Sequence, residues 1–196
     1  MNDFKKYYQT QLARHREPEK RVGWKTIQSQ RIRFEALIQV GSLKGSKIVD
    51  VGCGLGAFWG YLQEQEIRVQ YTGIDLFPEM IRGASQLYPE ARFEVRSVLT
   101  QPYPAGSFDY SFLSGVFNVK VKDNWTYMRT ILQRILRQTK KAVAFNVLNA
   151  ESGLDETNRF VVTPQEITAL GRTLGVKRIR LLKDYHPQDL TLFFYR

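Results

Sequence analysis

The run KIVDVGCGLGAFWGYL, residues 47–62, carries three glycines at alternate positions, Gly52, Gly54 and Gly56, with one acid, Asp50, just ahead of them. Glycine at such a place permits positive φ and close approach of a ligand to the backbone. The apolar run before the glycines reads as a buried strand, and AFWGYLQEQE after them reads as a helix. Asp75 follows at the end of a second strand-like segment, VQYTGID. About twenty residues past a glycine turn, an acid is placed to accept hydrogen bonds from both hydroxyls of a ribose. The chemistry these residues suggest is the grip of an adenosine-bearing cofactor.

Two cofactor classes compete. The string GCGLGA also satisfies the dinucleotide pattern G-x-G-x-x-G/A, and a lone match to that pattern is weakly specific. Asp50 argues against a dinucleotide, because an acid directly before the first glycine repels a pyrophosphate but suits a ligand carrying an ammonium and a sulfonium. An acid between valines in a core strand is also expensive unless something satisfies it. Asp75, for its part, could equally cap the helix that begins at LFPE, and the two roles are compatible.

The elements that position these residues follow from periodicity and punctuation. Residues 2–17 and 27–40 read as helices separated by the breaker EPEKRVGW. Strands KIVDV, VQYTGID, RFEVRSVL, FDYSFLSGVF and KAVAFNVLN then alternate with helices, including a long basic one over residues 123–138 and another over 163–174. Such alternation demands a mainly parallel sheet with right-handed crossovers and helices on both faces. Only about four residues separate VKRIRLLKDY from LTLFFYR, too few for a crossover, so these two strands form a hairpin and the last strand is antiparallel.

Four motifs in this order, IVDVGCGLGAF, YTGIDLFPEMI, YPAGSFDYSFLSG and DYHPQDLTLFFYR, resemble a class I S-adenosylmethionine-dependent methyltransferase over nearly the whole chain from about Gln30. The resemblance implies an α/β, Rossmann-like fold with a seven-stranded sheet of order 3-2-1-4-5-7-6. It implies that Asp50, Gly52, Cys53, Gly54 and Gly56 hold the methionine end and the sulfonium region, the glycine loop through its backbone. Asp75 then holds the ribose, with Leu76 and Met80 against the adenine. Ser97 and Val98 touch the adenine edge, and Ser114, Gly115 and Val116 lie beside the donor. One departure stands out: many relatives have an acid where Ser97 aligns, and a hydroxyl accepts a hydrogen bond more weakly than a carboxylate.

On the acceptor side the residue types speak less clearly. Loops after the fourth, fifth and sixth strands expose Phe117, Asn118, Asn146 and Tyr185, and His186 is the one candidate base there, since imidazole titrates near neutrality. Tyr7, Tyr8 and Trp24 fall in a segment with no place in the sheet. In similar enzymes such a segment folds over the donor, so residues 1–40 are expected to form a helical lid that brings Gln30 or Arg33 to the methionine carboxylate. The alternative is that its aromatics pack on the sheet edge.

Composition sets the outer bounds. A chain of 196 residues with 43% hydrophobic content supports one domain, here residues 1–196. One cysteine and two histidines leave few soft ligands for a metal. No apolar run of about 18 residues is present, so a soluble, cytoplasmic protein is expected. The net charge of +10 suits nucleic acid, an anionic surface or an acidic metabolite without choosing among them. The residues SGVF after the fourth strand lack the N/D-P-P-Y/F pattern of enzymes that methylate base amino groups. The expected activity is methyl transfer to an oxygen or nitrogen of a small molecule or short peptide, with an RNA or protein methyltransferase using the basic surface as the alternative.

Overall fold

The computed structural model describes residues 10, 14, 17–23, 26–155 and 157–196. Helix α1 (Ile27–Leu37) starts at Thr26, whose side chain accepts the N–H of Ser29, and ends in a short 3-10 turn, Ile38–Val40. There follow β1 (Lys47–Val51), α2 (Ala57–Glu64), β2 (Gln70–Asp75), α3 (Pro78–Leu87), β3 (Arg92–Val95) and β4 (Phe108–Leu113). The chain continues through α4 (Asn124–Gln138), β5 (Thr139–Asn149), β6 (Val161–Val162), α5 (Pro164–Thr173), β7 (Arg178–Leu182) and β8 (Asp189–Tyr195).

Caps explain the helix boundaries. Pro78 occupies the first turn of α3, where its missing N–H costs nothing. Asp123 accepts the N–H of Thr126 at the head of α4. Thr163 and Glu166 form a reciprocal capping box at the head of α5.

The sheet runs β3-β2-β1-β4-β5-β8-β7, with β8 antiparallel to both neighbours. The expected order therefore holds with one addition. The two-residue β6 pairs in parallel with Leu148 and Asn149 of β5, beyond the reach of β4, and makes eight strands instead of seven. Two residues flanked by loop carry no periodicity by which a sequence could announce a strand.

Alternation along the strands separates two apolar layers. Val49, Val143, Phe145 and Phe194 pack against Met128, Leu132 and Ile135 of α4 and Ile167 of α5. Ile48, Phe112, Ala144 and Phe193 face Phe34 and Leu37 of α1 and Phe58 and Leu62 of α2. The segment expected to be a lid is thus, from Ile27 onward, a helix built into one face of the sheet against β5 and β8. Among the described residues no helix is long and apolar enough to cross a membrane.

Gly56 belongs to this scaffold. A β-carbon there would stand 2.8 Å from Cζ of Phe93 on β3 and 3.1 Å from the ring of Tyr88. We expect Gly56→Ala to cost about 1–3 kcal/mol through forced repacking, measured by urea denaturation; unchanged stability would place the glycine's role elsewhere.

Candidate donor site at the carboxyl ends of the strands

The turn after β1 closes on itself. The N–H groups of Gly52 and Cys53 both donate to the carbonyl of Ile74, at 2.8 and 3.0 Å, and that of Gly56 donates to Cys53 at 2.9 Å. The N–H of Gly54 donates to Oδ2 of Asp75 at 3.0 Å. A nest for phosphate needs such donors free and aimed at the ligand. These four are consumed inside the protein, so they form no phosphate nest, and backbone contact with a ligand is left to the turn's other groups. Gly52 and Gly54 adopt φ of +73° and +53°, and a β-carbon at either would lie 2.8 Å from a valine methyl, of Val116 and Val22 respectively. Their lack of a side chain lets these valines close over the turn.

The two acids meet this site in different states. Asp75 is buried, and its Oδ1 accepts the N–H of Phe77 at 3.0 Å while Oδ2 takes Gly54. Burial raises its pKa, and the backbone donors at Phe77, Gly54 and Leu76 oppose the rise. Asp50 receives only the hydroxyl of Tyr71, at 2.8 Å. Its pKa is pushed up to about 7, first by burial, against the Tyr71 bond, with the charge of Asp75 adding to the rise. No ion pair engages either carboxylate among the described residues. The Cys53 thiol is pushed up by burial and by the same two acids, so it stays protonated and unreactive.

A cavity of about 400 Å³ opens over these groups, within the usual range for small-molecule sites, about 300–1,000 Å³. Asp50, Gly52, Cys53, Gly54, Asp75, Leu76, Met80, Ser97, Val98, Ser114, Gly115 and Val116 all line it, as does Gln30. Ser97 Oγ already accepts the N–H of Leu99 at 3.2 Å. Leu76 and Leu99 are unusually exposed for leucines, 41% and 37%, and both border the cavity. A flat apolar ligand would cover them.

Two cofactor assignments do not reach the cavity. Gly56 serves the packing of β3, as above. Arg33 is spent: its Nε and one terminal nitrogen clasp the carboxylate of Asp189, and the other terminal nitrogen holds the carbonyl and hydroxyl of Ser29. Of the acceptor-side candidates, Asn118 lines the cavity, and its Oδ1 is buried without a partner. Phe117 is buried against Tyr127 and Phe145. Asn146 is buried between the hydroxyls of Ser114, at 3.0 Å, and Thr191, at 2.7 Å. Tyr185 bonds Thr191 at 2.7 Å, and burial raises its pKa. His186 does not line the cavity either; its Nδ1 accepts the N–H of Gln188 at 3.2 Å and stands 2.6 Å from Oδ2 of Asp189. Tyr7, Tyr8 and Trp24 lie outside the described residues.

The sequence reading missed Phe34, Val121, Lys122, Tyr127 and Ile131, which also line the cavity. Tyr127 and Ile131 stand four apart on α4, a spacing that signals only a buried face. The Tyr127 hydroxyl is pushed up to about 12 by burial, then by the charge of Asp75.

Residues 48–141 match the family described as a methyltransferase domain. Rv1506c of Mycobacterium tuberculosis, named as a candidate methyltransferase, is 30% identical over 154 residues that span 74% of this chain and 90% of that protein. The chain belongs to the class I S-adenosylmethionine-dependent methyltransferases. Trans-aconitate 2-methyltransferase of Afipia carboxidovorans is 29% identical over 99 residues, 50% of this chain and 38% of that enzyme. Magnesium protoporphyrin IX methyltransferase of Synechocystis, solved with S-adenosylhomocysteine bound, superposes with a TM-score of 0.65 at 14% identity, over 100% of this chain and 94% of that one. At that identity the likeness speaks for the fold of this methyltransferase alone.

The raised pKa of Asp50 has a consequence for stability. Between about pH 4 and about 7 the unfolded chain has released this proton and the folded one retains it, so stability contributed by Asp50 falls as pH rises through that window. Replacing Asp50 by Asn removes this dependence, since the amide oxygen still accepts from Tyr71. Thermal melts of the ligand-free protein should show the Asp50→Asn variant gaining on the wild type from pH 5 to 8. A constant offset across that range would contradict the assignment.

Proposed function

We propose that this methyltransferase transfers the methyl group of S-adenosylmethionine to an oxygen or nitrogen of a small-molecule or short-peptide acceptor. The observation that carries the donor assignment is the pairing of two carboxylates that lack counter-ions with a glycine turn whose N–H groups are already used. Such a wall rejects a pyrophosphate and accepts an ammonium and ribose hydroxyls. The cavity's size and its exposed Leu76 and Leu99 fit an adenosine as well.

Bound S-adenosylmethionine supplies an electrophilic methyl on a positively charged sulfur. The chain's residues then have defined tasks. Asp50 attracts the ammonium end, and ionises in doing so. Asp75 keeps a lone pair on each oxygen for the ribose hydroxyls while its backbone donors hold it still. Met80, Val98, Leu76 and Leu99 enclose the base, with Ser97 at its edge. Gln30 reaches the cavity from α1 and meets the amino-acid end. Ser114, Gly115 and Val116 wall the path of the methyl group. Holding reacting atoms near 3–3.5 Å and excluding water contributes most of the catalysis in such a displacement.

The acceptor reading rests on weaker support. The Afipia relative is named for a small-molecule acceptor, and so is the structural neighbour from Synechocystis. Asn118 is the polar group best placed to meet an acceptor, its buried Oδ1 being without a partner. We keep His186 as the proton acceptor for a substrate leaning against the β7–β8 loop. Its Nε2 can take a proton in the tautomer whose Nδ1–H donates to Asp189, in which the contact from the Gln188 N–H is given up. Burial and the charge of Arg33 lower its pKa, and Asp189 opposes them, so it stays neutral through physiological pH. In this reading residues 1–40 cap the donor, α1 being the part of the cap that is packed on the sheet and Gln30 its group at the cavity.

Titration calorimetry with S-adenosylhomocysteine and with NAD tests the donor directly. Asp75→Ala should weaken S-adenosylhomocysteine at least about tenfold, because it removes charge-assisted bonds to two hydroxyls. Undiminished affinity, or preference for NAD, would overturn the reading. Methyl-labelled donor incubated with fractionated cell extract identifies the acceptor. On that acceptor, His186→Ala should lower turnover while S-adenosylhomocysteine binding persists, and equal turnover from pH 6 to 9 would exclude it as a base.

A further inference from the structure

Gln30 is the one polar side chain of α1 that lines the donor cavity. It is more than nine-tenths buried. Among the described residues its amide makes no hydrogen bond, although its nitrogen and oxygen are not among the sealed, unpartnered atoms. A glutamine left in that state has its rotamer set by the helix that carries it rather than by bonds of its own. The placement of α1 therefore decides where the amide points.

Phe34 and Leu37 seat the helix on the sheet, and one buried polar contact ties its first turn to β8. Arg33 stands one turn after Ser29 and flanks Gln30 on the helix. Through one terminal nitrogen it holds the carbonyl and the hydroxyl of Ser29, the latter at 2.6 Å. Its Nε donates to Oδ1 of Asp189 at 2.9 Å, and its other terminal nitrogen donates to Oδ2. Both partners are sealed from solvent, Arg33 at 3% and Asp189 at 0% exposure. Asp189 itself belongs to the rigid part of the molecule. It opens β8 and is registered against Leu148 of the central strand β5. The fork of Arg33 is thus a strut with one end in the sheet and the other in the first turn of α1, and Gln30 sits between its two helical attachment points. Phe34, next to Arg33, adds an apolar wall to the same cavity.

We propose that Asp189 is a positioning residue for Gln30, acting through Arg33 and Ser29, and that this strut sets how tightly the cavity holds the amino-acid end of the donor. Asp189 itself does not line the cavity. The inference rests on the reading of Gln30 as a donor-binding residue given above. It explains why a bidentate pair is spent in a place where apolar residues of similar volume would serve stability equally well.

A double-mutant cycle separates positioning from support of the fold. S-adenosylhomocysteine affinity is measured by calorimetry for the wild type, Gln30→Ala, Asp189→Asn and the double variant. Loss of one ligand hydrogen bond predicts a weakening of about five- to tenfold for Gln30→Ala, and Asp189→Asn should weaken binding comparably. If Asp189 acts through Gln30, the double variant binds no more than about twofold worse than Asp189→Asn alone. Losses that multiply, or an Asp189→Asn protein that binds like the wild type, overturn the proposal. Circular dichroism melts establish that each variant is folded at the temperature of titration. Should Asp189→Asn not fold, Arg33→Lys takes its place in the cycle: it keeps a buried cation and gives up the fork, and multiplying losses there are equally decisive. A wild type that binds no S-adenosylhomocysteine defeats the donor assignment itself, and this proposal with it, whereas binding with independent losses defeats only the strut.

Discussion

Two carboxylates without counter-ions at the ends of adjacent strands are the constraint on which the rest of the site depends. Burying an ionised acid costs several kcal/mol unless it is paired and hydrogen-bonded. The fold meets that cost unequally. Asp75 recovers much of it from two backbone donors that the glycine turn and the start of α3 supply. Asp50 has one tyrosine hydroxyl, and its raised pKa measures the shortfall. Among the described residues no cation pairs with either acid. The glycine turn follows from the same demand: with its N–H groups drawn to Ile74 and Asp75, it adds no positive edge that would satisfy the acids prematurely.

Asp189 is the counterexample within the same chain. It too is fully buried, and burial raises its pKa, but Arg33 and His186 oppose the rise from 2.6 to 2.9 Å away. Bidentate guanidinium geometry is stiff as well as strong. A carboxylate satisfied inside the protein holds elements together, and one satisfied by nothing inside the protein awaits a ligand. The difference between Asp50 and Asp189 is one of neighbours, and those neighbours come from segments 21 and 156 residues away in sequence.

That distance separates what the sequence disclosed from what it hid. Asp50, the glycines and Asp75 lie within one strand-turn-helix-strand unit, so local spacing was enough to place them. The strand order was legible for a similar reason: the β1–β2, β2–β3 and β4–β5 connections each carry a helix long enough to see, and the short link before LTLFFYR forces a hairpin. Arg33 misled because a long cation on a helix near a donor site is a natural clamp for a carboxylate, and nothing local showed that a carboxylate 156 residues later already claimed it. Asn146 and Phe117 misled differently. Asn146 lies toward the end of β5 and Phe117 in the loop after β4, and alternation on the strand and the inward turn of the loop decide which way each points. Gly56 matched a ligand motif while answering to Phe93 and Tyr88, whose approach no spacing rule records.

The same geometry accounts for the unequal visibility of donor and acceptor. The donor wall is made where parallel strands end, and strand ends are fixed by ladders of hydrogen bonds whose register admits no slippage without exposing a face of the core. The opposite wall is assembled from α1, from the loop over residues 114–123 and from the first turns of α4, segments tied by side chains. Asn124 holds that loop by accepting the N–H of Val121 and donating to the carbonyl of Val119. Arg33 holds α1, and Thr191 gathers Asn146 and Tyr185. Side-chain ties of this kind can be exchanged singly without disturbing the sheet, so the acceptor wall can change shape while the donor wall persists. In that wall the oxygen of Asn118 is buried without a partner, the one lining side-chain atom among the described residues that the protein's own contacts leave unexplained.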